Sequence, residues 1–368
     1  MFIFGTGYQH CMQSPTTNRF AVIGSGSFAT ALVKILNDNG HAIYWWVRHQ
    51  EIADHVSKFG HNPGYLRSVA LRTELLHLST HLQEVVAAAT YIVMAVPSAY
   101  VEALLDTLPP GSLEGKKVIS AIKGIMARNN VLLNDHLRNQ FGFDSNDYFT
   151  IMGPCHAEEV ATEKLSYLTF TGLDDANTQW IADQFRNRYI NTVTNNDVYG
   201  VQFAAILKNI YALGSGMASG LGYGDNFLSV LIANAADEMA VFLRKVGIRN
   251  IEVGVHKEPI PGVQLQKYPY RKSANYAASV YLGDLLVTCY SPFSRNRRFG
   301  TMIGKGYSVE IARLEMNMVA EGYHASRCLY MINQEIKADI PIATVLYRIL
   351  WEQLEPQLGF KQIEETMI

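Results

Sequence analysis

Phe20-Ala-Val-Ile-Gly-Ser-Gly-Ser-Phe-Ala29 decides the reading of the fold. A short apolar run meets a glycine-rich turn, and residues 30–39 then read as a helix with Gly40 as its C-cap. Ala42-Ile-Tyr-Trp-Trp-Val47 follows as a second β-rich run, completing a βαβ unit. Gly24-Ser-Gly-Ser-Phe-Ala29 fits the spacing GxGxxG/A. Gly24 permits the tight strand-to-helix turn, Gly26 lets the backbone approach a pyrophosphate, and the small Ala29 lets helix and strand pack closely. A pyrophosphate would then meet free N–H groups and the positive dipole end of the helix. Alone the motif is weak. The strand before it, the helix it opens and the strand beyond make a dinucleotide site the expectation.

Working outward, residues 91–96, 117–122, 149–152 and 167–171 are further short apolar runs, with helical patterns between them. Uniformly apolar strands alternating with helices imply a parallel sheet covered on both faces. The texture changes near residue 200. From Gly200 to Gly247 the chain is rich in Ala, Leu, Ile and Met, and residues 227–246 read as one helix stopped by Arg244, Lys245 and Gly247. The pattern is helical again from Ser308 onward. The expected fold class is α/β: an N-terminal Rossmann-like, doubly wound sheet over 20–200, then an all-helical domain over 201–368. Residues 251–275, with Pro259, Pro261 and Pro269, read as a surface insertion. Residues 1–19, rich in Gly, Ser, Thr and Gln, read as a disordered extension or as residues upstream of the true start.

The composition agrees with a two- or three-domain globular chain. It has 368 residues, 48% hydrophobic and 17% charged, which excludes a disordered protein. Lys plus Arg is 31 and Asp plus Glu is 33, a net charge of −2, so nucleic acid is not an expected partner. Cys11, Cys155, Cys289 and Cys328 form no CxxC pair, so no zinc or other metal site is expected. Widely spaced cysteines fit reduced thiols in a cytoplasm. No unbroken apolar run reaches the roughly 18 residues of a membrane span. The N-terminus lacks a signal-peptide core.

The end of the second strand discriminates the cofactor. An NAD-selective site usually carries Asp or Glu there, whereas this chain has Arg48 and His49. An arginine can grip a 2′-phosphate through paired N–H donors, which favours NADPH, or tolerance of both NADPH and NADH. Alternatively Arg48 stacks on adenine or lies in solvent. Ala95-Val-Pro-Ser98 and Ala121-Ile-Lys-Gly124 each end a strand, where ligands of such sheets bind. Lys123 is therefore either a ligand-facing cation or a solvated lysine.

Three features of the second half carry chemistry. Lys208, in Leu207-Lys-Asn209, sits on a nearly apolar helix beside Ala204, Ala205, Tyr211 and Ala212. Desolvation there would lower its pKa toward a value useful for proton transfer. The alternative is a packed stem with its amine in water. Asp284, in Leu282-Gly-Asp-Leu285, is a single carboxylate in an apolar stretch, or else a helix N-cap. Ser294-Arg-Asn-Arg-Arg-Phe-Gly300 is the densest basic cluster, and its donors before a helix suit a small phosphate.

Together these motifs resemble the NAD(P)-dependent glycerol-3-phosphate dehydrogenases of the soluble, bacterial type. The matching pieces are GSGSFATAL from residue 24, VPS at 96–98, IKG at 122–124 and GPCHAEEVA from 153. LKNIYALGSGMASGLGYGDN from 207, GDLLVTCYSPFSRNRRFG from 283 and VAEGY from 319 continue in the same order. The resemblance implies reduction of dihydroxyacetone phosphate to sn-glycerol 3-phosphate, supplying phospholipid synthesis, and a dimer is plausible from it. It implies Lys208 as proton donor and acceptor. It places Lys123, Gly153, Cys155, Asp284, Ser294, Arg295 and Asn296 on the substrate. Ser27, Phe28, Arg48, Ala157, Val319 and Glu321 are placed on the cofactor, with Lys123 and Arg295 near it. The chain departs from the family where Cys155 replaces Ser or Thr, His156 replaces Phe, Phe28 replaces Trp or Tyr, and Ala29 replaces Gly. Two other readings compete. A β-hydroxy-acid or pantoate-type dehydrogenase has no need of SRNRRFG. An inactive NADPH sensor has no need of Lys208 and Asp284.

Overall fold

A computed structural model describes residues 18–248, 280–316 and 320–367. Nearly all of the expected N-terminal extension, the expected insertion and Val319 lie outside the described residues. The strands are β1 (Phe20–Ile23), β2 (Ile43–Trp46), β3 (Leu76–Ser79), β4 (Tyr91–Met94), β5 (Lys117–Ser120), β6 (Tyr148–Met152), β7 (Ser166–Gly172) and β8 (Ile190–Asn195). They form one sheet in the order β3-β2-β1-β4-β5-β6-β7-β8. Interleaved with them are α1 (Ser27–Asp38), α2 (Gln50–Phe59), α3 (Leu82–Ala88), α4 (Ser98–Leu105), α5 (Leu133–Phe141), α6 (Ala157–Ala161) and α7 (Asp175–Phe185).

Every residue of β1, β4 and β6 is buried, as strands covered on both faces must be. The pleat divides β1 between two cores. Phe20 and Val22 join the side of α1 and α7, while Ala21 and Ile23 join the side of α3 and α4. Strand order reverses between β1 and β4, and the carboxyl ends on either side of that switch open the crevice where ligands bind.

One expectation needs correction: the sheet is not parallel throughout. β7 runs antiparallel to β6, and β8 is parallel to β7. The β6–β7 connection holds only the five-residue α6. At about 1.5 Å per residue, such a helix is too short to carry the chain back along a strand that rises about 3.3 Å per residue.

Two residues after β8 the chain enters the helices α8 (Val198–Leu221), α9 (Asp225–Lys245), α10 (Leu282–Tyr290), α11 (Arg295–Gly304), α12 (Val309–Glu315), α13 (Glu321–Ile336), α14 (Pro341–Trp351) and α15 (Pro356–Thr366). α8 is the axis of this half, with α9, α10, α11, α13, α14 and α15 all packed on it. Its contact with α11 is backbone on backbone. A Cβ on Gly216 would lie 1.9 Å from the Arg297 carbonyl oxygen, and one on Gly300 would lie 2.0 Å from that of Leu213. This crossing sets the distance between the lysine on α8 and the start of α11. α9 is long and apolar enough, by length and composition, to cross a membrane; 56% of that stretch is buried in the protein.

Candidate active site

The cleft between the sheet and the helices encloses about 980 Å³, including its open mouth. Its sheet-side wall begins at the glycine turn. Gly24 has φ +124°, and a Cβ there would come within 2.6 Å of the Ala95 carbonyl oxygen. Only glycine fits this approach between the loops after β1 and β4. Gly26, the N-cap of α1, has an ordinary extended backbone, yet a Cβ on it would meet nothing within 4 Å. Bare backbone at a helix N-terminus facing open space fits a dinucleotide pyrophosphate.

The turn is held from outside the motif. Trp45 Nε1 donates to the Gly24 carbonyl at 2.7 Å. Asn62, fully buried, donates to the Ser25 carbonyl at 3.0 Å and to Thr30 Oγ1 at 2.8 Å. Its Oδ1 accepts from Gly64 and Tyr65 backbone N–H groups, so the amide is fully occupied as a brace. Sequence reasoning missed Asn62, a single asparagine in a loop without a motif.

The opposite wall centres on Lys208. α8 buries it to 3% exposure, and its Nζ pairs with Asp284 Oδ1, itself 2% exposed. Burial lowers the Lys208 pKa to about 8, opposed by Asp284 and assisted by the nearby charge of Lys123. The amine does not reach bulk water. Asp284 is not a helix cap either: Tyr281 occupies the N-cap of α10, and Asp284 sits inside the first turn. Its second oxygen is buried without a hydrogen-bond partner. Lys123, at the end of β5, lines the cleft with its Nζ 4.7 Å from the centre of the Phe28 ring.

α11 delivers the basic cluster. Ser294 caps it, accepting from the Arg297 N–H at 3.2 Å. Arg295 crosses to the sheet side and donates to Ser27 Oγ. Asn296 donates to Asn209 Oδ1 at 3.0 Å and accepts from the Gly322 N–H at 2.9 Å. Ser294, Arg295 and Asn296 line the cleft, whereas Arg297 and Arg298 do not. Helical residues turn by about 100° each, so three arginines in four positions cannot share one face. A second bridge ties the walls. Glu321, opening α13, accepts from Ser98 N–H at 3.1 Å and Ser98 Oγ at 2.5 Å. Burial raises its carboxyl pKa, while these bonds and Arg295 pull it down.

Ser27, Phe28, Cys155 and Ala157 also line the cleft. Burial pushes the Cys155 thiol up to about 12, so it faces the cleft as a neutral thiol. Of the other expected residues, Gly24 and Asp284, described above, do not themselves line the cleft, and three more stand apart from it. Gly153 shapes the chain after β6, with φ +120° and a Cβ position 2.8 Å from the Tyr167 carbonyl oxygen. Arg48 is exposed beyond β2. Val319 lies outside the described residues. Asn209, Thr288 and Phe293 line the cleft without having been singled out; Asn209 was signalled only by its place beside Lys208.

A nucleotide cradle at the switch point of a doubly wound sheet, facing a buried lysine of lowered pKa on a helical bundle, defines an NAD(P)-dependent oxidoreductase. Sequence comparison narrows the class. Residues 19–178 match the profile of the NAD-dependent glycerol-3-phosphate dehydrogenase N-terminus, and residues 197–361 match that of its C-terminus. The chain belongs to the NAD-dependent glycerol-3-phosphate dehydrogenase family. It is 30% identical over 337 residues to glycerol-3-phosphate dehydrogenase [NAD(P)+] of Bacillus velezensis, covering 90% of each chain. It is 31% identical over 341 residues to that of Bacillus cytotoxicus, covering 90% of this chain and 91% of the relative. The crystal structure of glycerol-3-phosphate dehydrogenase from Coxiella burnetii superposes with a TM-score of 0.81 at 23% identity, covering 95% of this chain and 99% of that one.

Proposed function

We propose that this chain interconverts dihydroxyacetone phosphate and sn-glycerol 3-phosphate, with reduction as the working direction and phospholipid precursors as its output. The observation that carries the reading is the buried Lys208–Asp284 pair beside the capped start of α11, across the cleft from the glycine turn. We divide the chain near residue 200 into a nucleotide-binding part and a helical part carrying the substrate site.

Gly24, Gly26, Ser27, Phe28, Ala157 and Glu321 would hold the cofactor, joined by Val319, with Arg48 at the ribose end. When bound, the reduced nicotinamide supplies the hydride. Lys208 donates the proton that the C2 oxygen needs, and Lys123 adds positive charge beside it. Asp284 keeps the Lys208 amine in place. Arg295, the Ser294 hydroxyl and the free N–H of Asn296 orient the phosphate at the start of α11. Lys123, Gly153 and Cys155 complete the substrate side. We place the protein in the cytoplasm, in keeping with three buried, unpaired thiols at Cys155, Cys289 and Cys328. A homodimer belongs to the same reading, and sedimentation tests it.

The direct test is loss of reduced-nicotinamide absorbance with dihydroxyacetone phosphate, run once with NADPH and once with NADH. Substrate-dependent loss supports the reading. No loss with either, in folded protein that binds NADPH, overturns it.

A further inference from the structure

The turn that ends α2 has no part in that scheme. Gly60, its C-cap, has φ +69° and donates to the Val56 carbonyl at 2.8 Å, so the chain reverses and lays His61 back against the helix. There its ring meets that of His55. The two Nε2 atoms are 3.1 Å apart, the ring centres are 4.7 Å apart, and the planes cross at 87°. Both residues are half-buried, so the pair is held by the fold yet open to solutes. The next residue, Asn62, is tied to the nucleotide turn through Ser25 and Thr30, which keeps the reversal in place.

His61 Nδ1 lies 3.1 Å from the Phe59 carbonyl oxygen. A carbonyl only accepts, so Nδ1 carries the proton of the neutral ring and Nε2 carries its lone pair. A ring whose other nitrogen donates to a backbone carbonyl is the usual support of a metal-ligating imidazole. In the metal-free protein His55 Nε2–H donates to the His61 lone pair. Exchange of that proton to His55 Nδ1 through water leaves the ring neutral and frees a second Nε2 lone pair beside the first. The spacing suits an ion shared between them. Two metal–nitrogen bonds of about 2.0–2.1 Å, from nitrogens 3.1 Å apart, enclose an angle of about 100°. That is close to the right angle between neighbouring ligands in tetragonal Cu(II). No third His, Cys, Asp or Glu joins the pair among the described residues, so water would complete the coordination.

We infer that His55 and His61 form a two-imidazole site for a late divalent transition-metal ion, Cu(II) above all, at the C-terminal end of α2. Affinity for nitrogen ligands rises along the first-row divalent series to copper, which makes Cu(II) the ion to test. The site needs no part of the proposed reaction, and binding alone tests it.

The experiment titrates Cu(II) into wild type, His55→Gln and His61→Gln, followed by electron paramagnetic resonance and by calorimetry. Wild type should take up one tight equivalent whose spectrum carries superhyperfine splitting from two imidazole nitrogens. Loss of an outer-shell partner costs about 10- to 100-fold in metal affinity, and loss of a ligand should cost no less. Each variant should therefore raise the Kd of that equivalent at least about tenfold and reduce the splitting to one nitrogen or none. The Kd for NADPH, measured without metal, should match wild type in His55→Gln, which shows that its nucleotide turn is intact. His55→Gln carries the test by itself if His61→Gln, next to Asn62, does not fold. An unchanged Kd and spectrum in His55→Gln overturns the inference, as does a wild-type equivalent with fewer than two nitrogen ligands.

Discussion

Lys208 and Asp284 face each other where neither side chain keeps more than 3% of its surface in contact with solvent. Removing two charges from water costs more than a structural ion pair commonly returns, so such a pair is poor value for stability alone. What it provides is a lysine whose pKa of about 8 allows it to hold or release a proton near neutrality.

The pH dependence of turnover follows from that pair. In the proposed reaction reduction requires protonated Lys208, so its rate should fall as pH rises through about 8, while oxidation should gain over the same range. Asp284 raises the Lys208 pKa, so Asp284→Asn should move both breaks to lower pH. The sign for stability differs. The folded pKa lies below the unfolded value of about 10.4, so this group makes folding more favourable as pH rises between about 8 and 10. Profiles of kcat in both directions test the point. Identical breaks in wild type and Asp284→Asn would show that another group titrates.

The two glycines of the nucleotide turn should separate binding from folding. Gly26→Ala adds a methyl group that meets no protein atom at a residue with ordinary backbone angles. Its Tm should match wild type while its Kd for NADPH rises about tenfold or more. Gly24→Ala should lower the Tm itself, since the methyl group meets the Ala95 carbonyl and the backbone is left-handed. Differential scanning calorimetry with and without NADPH distinguishes them.

The α8–α11 crossing should tolerate no added methyl group. Gly216→Ala and Gly300→Ala each drive a Cβ into carbonyl oxygen belonging to the other helix. Each should cost at least about 4 kcal/mol, lowering the Tm by about ten degrees. Gly214→Ala is the control on the same helix, because its nearest neighbour is the side chain of Leu346, at 2.9 Å, rather than backbone. It should cost less.

In the proposed reading, Arg48, exposed beyond β2, sets the cofactor choice. Arg48→Ala should raise KM for NADPH about tenfold and leave KM for NADH nearly unchanged, because only NADPH carries the 2′-phosphate. Equal effects on both cofactors would assign Arg48 to adenine or to solvent.

Much of this architecture is legible in the residues. β1 and β4 are uninterrupted apolar runs because they are buried on both faces, and β2, β5, β6 and β7 are legible as largely apolar runs interrupted by few polar residues. β3 and β8 escape because they are the edges of the sheet. Leu76-His-Leu-Ser79 and Ile190-Asn-Thr-Val-Thr-Asn195 expose polar residues there, and their pattern does not stand out from a loop. Lys208 and Asp284 could be singled out as isolated charges in apolar stretches. Their pairing could not, since 76 positions separate 208 from 284 along the chain. Asn62 was hidden for a different reason: a brace needs one amide in the right place, and a lone amide has no pattern.

The clamps from Ser98 to Glu321 and from Ser27 to Arg295 also bear on how this chain can vary. They join residues 223 and 268 positions apart directly across the cleft. The spacing between nucleotide and substrate is therefore gauged locally and does not depend on the length of the connecting chain. Lengthening a surface connection costs only about 0.6 kcal/mol per doubling. Changes in the length of chain between these paired positions therefore leave the width of the gap between nucleotide and substrate to the two clamps themselves.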